Sequence, residues 1–65
     1  MANLEGCALT IVESSALIAC QGNSQFVSLI RNRDELPNVI ENVSGEQVKS
    51  ITIATGNKKV AFRPN

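Results

Sequence analysis

The sequence contains no histidine, tryptophan or tyrosine, only two phenylalanines and two cysteines, and no excess of either charge, with six basic against six acidic residues. Without histidine there is no imidazole base, no Ser-His or Cys-His nucleophile pair and no His-ligated metal. Cys7 and Cys20 supply half of the four ligands that a structural zinc needs. A balanced charge gives no basic field to draw nucleic acid and no acidic tail. No apolar run approaches the length of a membrane-spanning helix. Aromatic platforms for stacking single-stranded bases are also missing. These gaps argue against an enzyme, and the sequence offers no catalytic, cofactor-binding or metal-binding residues.

Other features that look suggestive fail on context. Leu17-Ile18-Ala19-Cys20 superficially matches a lipoprotein cleavage box, but Glu5 and Glu13 interrupt any signal-peptide core and no positive leader precedes it. Asn42-Val43-Ser44 fits the glycosylation pattern, which carries no meaning without a secretion signal. Gly56-Asn57-Lys58-Lys59 lacks the spacing of a phosphate loop. Asp34 and Glu35 are adjacent, so they diverge at a helix start and read as helix-dipole charges, not an acid–base pair. The expected location is the cytoplasm or the interior of a viral particle, with no secretion and no membrane partner.

The residues that are present read as β structure. Ile51 to Phe62 is a β-hairpin around Gly56-Asn57, a two-residue loop of type II′ or I′. That loop pairs Thr55 with Lys58, Ala54 with Lys59, Ile53 with Val60, Thr52 with Ala61 and Ile51 with Phe62. Directly opposed residues share a face. Ile51, Ile53, Val60 and Phe62 therefore form a core face, and Ser50, Thr52, Ala54, Lys59, Ala61 and Arg63 the other. Pro64 ends the strand.

Upstream, Cys7 to Glu13 alternates as a strand. Ala16 to Gln21 fits either a returning strand, with a turn at Ser14-Ser15 that pairs Val12 with Leu17 and Leu9 with Cys20, or a short helix capped by Ser14; the strand is favoured. In that hairpin Cys7 and Cys20 share a face diagonally, and both read as reduced, buried small hydrophobes. Residues 24–31 fit a helical stripe through Phe26, Leu29 and Ile30 or a strand, and Val, Phe and Ile enrichment favours the strand. Residues 35–43 form a helix, with Asp34 as cap, Pro37 in the first turn, Leu36, Val39, Ile40 and Val43 on one stripe, and Gly45 as the stop.

The expected fold is a single domain over residues 1–65, mainly β or small α+β. It is an antiparallel sheet or small, partly open barrel of about five short strands, with one helix (35–43) between strands 3 and 4. Three strands, a helix and two strands is also the element order of an OB-fold, an analogy that carries no function by itself.

A chain this short buries only about 60% of its unfolded surface. One helix covers one sheet face, leaving apolar surface over. The sequence thus points to a non-catalytic structural or assembly protein that homo-oligomerises or joins a larger complex, a virion included. Its interaction surface would be Ser50, Thr52, Ala54, Lys59, Ala61 and Arg63, and its partners copies of itself or other protein subunits. The second reading is an OB-like or SH3-like module whose small basic surface, Lys58, Lys59 and Arg63, holds an anionic ligand or nucleic acid, nucleic acid being the less expected partner on a chain with balanced charge.

Overall fold

The computed structural model describes Leu4 and residues 6–64. Strand β1 (Cys7–Val12) is followed by β2 (Ser15–Cys20), helix α1 (Asn23–Arg31), a 3-10 turn (Arg33–Glu35), helix α2 (Leu36–Ser44), and strands β3 (Ser50–Thr55) and β4 (Lys58–Phe62). The strands form one sheet in the order β1-β2-β3-β4. Both hairpins are antiparallel, and they meet through a parallel β2–β3 pair. The fold is therefore α+β, but the sheet is mixed and open, with four strands and not five among the described residues. Both helices lie in the connection between strands 2 and 3, so neither the one-helix layout nor the OB-like order holds.

The parallel pair explains the difference. Antiparallel neighbours can be joined by two residues, whereas parallel ones need a crossover of a dozen or more, usually helical. Residues 24–31 sit in that crossover and form α1 despite their β-branched content. The helix buries Phe26 and Leu29 and turns Val27 and Ser28 outwards. At its start Gln25 Oε1 accepts the Gly22 N–H at 3.1 Å. At its end the Asn32 side chain donates to the Ser28 carbonyl at 2.8 Å, and Arg33 donates to that of Ile30 at 2.9 Å. Helix α2 begins one residue later than expected, after the 3-10 turn, and no side-chain cap bond comes from Asp34. Leu36, Val39 and Ile40 are buried, while Val43 is exposed. Gly45 takes φ +77°, a left-handed backbone that glycine adopts without a Cβ clash, and its N–H reaches the Glu41 carbonyl at 2.7 Å.

The C-terminal hairpin has the expected register in all its pairs. Gly56 alone of its two loop residues has positive φ, at 51°, the pattern of a II′ turn. The first hairpin differs. Its turn is Glu13-Ser14, not Ser14-Ser15, and it pairs Val12 with Ser15, Leu9 with Ile18 and Cys7 with Cys20. That is a shift of two residues, which preserves the faces but changes every partner. Glu13 and Ser14 both have positive φ, 50° and 68°, as a I′ turn demands. Neither residue favours that region. The turn is held from outside, because the Ser14 carbonyl accepts the N–H groups of Lys49 and Ser50 at 2.7 and 3.4 Å. Replacing Glu13→Asn and Ser14→Gly together relieves the strain and keeps the carbonyl. Chemical denaturation of this double variant is expected to show a gain of about 1–3 kcal/mol.

One core results. Ala16, Ile18 and Cys20 of β2, Ile51 and Ile53 of β3, Phe26 and Leu29 of α1, and Leu36, Val39 and Ile40 of α2 form a single buried cluster. Leu9, Ile11 and Phe62 pack at its margins. Val60, on the edge strand β4, lies beyond the helical cover and is 39% exposed.

Candidate functional site: the open sheet face

Because both helices contribute their buried residues to the same core as Ile18 and Ile53, no element among the described residues covers the opposite, open face of the sheet. Register and alternation lay out that face in rows across the strands. One row runs Ala8, Ala19, Ala54, Lys59. The next runs Thr10, Leu17, Thr52, Ala61. The third runs Val12, Ser15, Ser50, where the Ser50 hydroxyl donates to that of Ser15 at 2.9 Å. Leu17 stands on a central strand, where side chains are usually covered, yet is 41% exposed. Within these rows only Lys59 is charged. Small side chains make the surface low and flat, so a second sheet can approach it closely.

Of the residues assigned to the interaction surface from sequence, Ser50, Thr52, Ala54, Lys59 and Ala61 stand together here. Arg63 lies beyond the end of β4, exposed, on the rim of a cleft of about 340 Å³ that it lines with Arg33, Asp34, Pro37, Phe62 and Pro64. The three residues of the anion-contact reading are not brought together. Lys58 and Lys59 alternate to opposite faces, and the Lys58 ammonium donates to Asn23 Oδ1 at 3.1 Å, tying the hairpin tip to the start of α1.

The contribution of β1 and β2 to this surface, Ala8, Thr10, Val12, Ser15, Leu17 and Ala19, was not joined to it from sequence. No turn announces the β2–β3 pairing, whose partners are 35 residues apart. The available signal was the surplus of apolar positions on both sides of residues 8–19.

On the core side Cys7 and Cys20 are directly opposed, not diagonal, and both are free thiols. Their Sγ atoms lie 3.5 Å apart. Burial, with smaller contributions from the neighbouring Cys7, pushes the Cys20 thiol up from 9.0 to about 11. The folded state thus binds this proton more tightly than the unfolded chain. Its contribution to stability is full below pH 9 and is lost as pH rises to about 11. Unfolding measurements across that range should show a fall that Cys20→Ala reduces.

Among the described residues no group of three or more His, Cys, Asp or Glu is placed to hold a metal ion. No helix among them is long and apolar enough to cross a membrane. In comparison with known proteins, no family model, no curated protein and no solved structure gives a significant match to the chain.

Proposed function

We infer that the protein is a non-catalytic assembly module whose open sheet face packs against another sheet, in the first instance that of a second copy. The observation that carries this reading is Leu17, exposed in the middle of an almost uncharged face on a central strand. Such a surface is a poor site for an anion or a polar ligand, which need converging donors. It suits a flat, close-packed contact, with sheets about 10 Å apart.

The face is compatible with itself. A two-fold axis along the strands, between the two sheets, lays β4 of one copy over β1 of the other. Lys59 of each copy then sits at the margin beside Ala8 of its partner, away from its twin. The chain's zero net charge adds no long-range repulsion. Size sets the strength. Four strands about 4.8 Å apart and six residues rising about 3.3 Å each give a face of roughly 400 Å². Two such faces bury on the order of 800 Å² or slightly more, below the usual range for a stable pair. A single contact is therefore weak, and durable assembly requires repetition within a larger particle or further contacts at the edge strands β1 and β4. Static light scattering over a concentration series tests this. The weight-average mass should climb with concentration, and a constant monomer mass into the millimolar range would contradict self-association.

A further inference from the structure

The two cysteines take no part in the open face, and their geometry points to separate chemistry. Counting from the two-residue Glu13-Ser14 turn, successive pairs of the β1–β2 ladder alternate between hydrogen-bonded and non-hydrogen-bonded, and Cys7–Cys20 falls on a non-hydrogen-bonded pair. At such pairs the facing Cα atoms approach to about 4.5 Å, inside the span of about 4.4–6.8 Å that a disulfide bridges. With the sulfurs already 3.5 Å apart, side-chain rotation alone can bring them to bonding distance. The pair lies at the open end of the hairpin, with the half-buried Cys7 on the edge strand β1 and Cys20, 9% exposed, on its inner neighbour β2. Cys7 is thus the less buried residue of the pair, and Cys20 is sheltered beside it.

We propose that Cys7 and Cys20 are a reversible dithiol–disulfide site, oxidised by a small-molecule disulfide of the glutathione class. Cys7, the less buried of the two, reacts first. The Cys7 thiolate attacks one sulfur of the oxidant, the oxidant's S–S bond breaks, and one thiolate leaves with the bonding pair and takes up the proton. Cys7 is then a mixed disulfide. Cys20 releases its proton, its sulfur attacks the Cys7 sulfur, and the second small thiolate leaves and is protonated. Two protein thiols are oxidised to one disulfide, and one small disulfide is reduced to two thiols. Excess small thiol runs the same steps backwards. The bond ties β1 to its sole sheet neighbour at the end remote from the turn, closing the hairpin at both ends.

The test treats the folded wild-type chain with oxidised glutathione without denaturant and follows it by intact mass, peptide mapping and thermal unfolding. The expected product is a monomer lighter by two hydrogens, with a single Cys7–Cys20 linked peptide. Its Tm should rise on the order of 10 °C and return after reduction. Cys20→Ala should stop at a stable glutathione adduct on Cys7. The proposal is overturned if the wild type keeps both thiols, accumulates the mixed disulfide, forms linked dimers, or closes the bridge only in denaturant. These readouts do not depend on self-association, so the failure of one proposal leaves the other standing.

Discussion

Ile53→Asp should unfold the chain. Ile53 is fully buried on a central strand, between Ile18 of β2 and Val60 of β4. The core cluster around it consists only of apolar side chains, alongside Cys20. A carboxylate placed there has no cation or donor to meet it, and an unpaired buried charge costs several kcal/mol even after relaxation. A domain of this size has a total stability on the order of 3–10 kcal/mol. Loss of the cooperative thermal transition and collapse of amide dispersion in a nitrogen–proton spectrum are the expected results. The milder Ile18→Ala removes a buried side chain that packs on the same layer, and should cost about 2–5 kcal/mol while keeping the fold.

The second large effect separates folding from association. Leu17→Asp places the same charge one residue away from Ile18, on the other side of the sheet. Leu17 is not a member of the buried cluster, so the monomer should keep its fold and lose no more than about 1 kcal/mol. Across a face-to-face contact, however, the carboxylate would be desolvated without a partner, and its twin would lie in the same layer. Association should fall by at least tenfold, and Thr52→Asp, the neighbour of Leu17 in the same row, should act alike. If these variants associate as well as the wild type, the contact lies elsewhere. If they unfold, the face is not free in the monomer.

What could be read from the sequence follows from where the structural information is local. The β3–β4 register was fully legible because Gly56-Asn57 and the alternation on either side agree. Helix α2 was legible through Pro37, the Leu36, Val39 and Ile40 stripe and Gly45. The first hairpin was misregistered because its turn uses Glu13 and Ser14 in a conformation that neither prefers, and the bonds that hold it come from Lys49 and Ser50, far along the chain. Residues 24–31 were misassigned because β-branched composition outweighed a short helical stripe, and the need for a crossover becomes visible only once β2 and β3 are known to be parallel. The candidate face was half legible for the same reason. Alternation in β3 and β4 placed Ser50, Thr52, Ala54, Lys59 and Ala61 together. Alternation along β2 also puts Leu17 on the face away from Ile18 and Cys20, but the β2–β3 pairing that sets it beside Thr52, at the centre, has no local signal.

The most direct test of the account is a concentration series of methyl spectra on assigned wild-type protein, because it reports both whether copies associate and through which surface. The methyls of Ala8, Leu17, Ala19, Thr52 and Ala54 should shift together as concentration rises, while those of Val27 on α1 and Val43 on α2 stay in place. Spectra that do not change with concentration, or shifts confined to the helical side, would contradict assembly through the open sheet face.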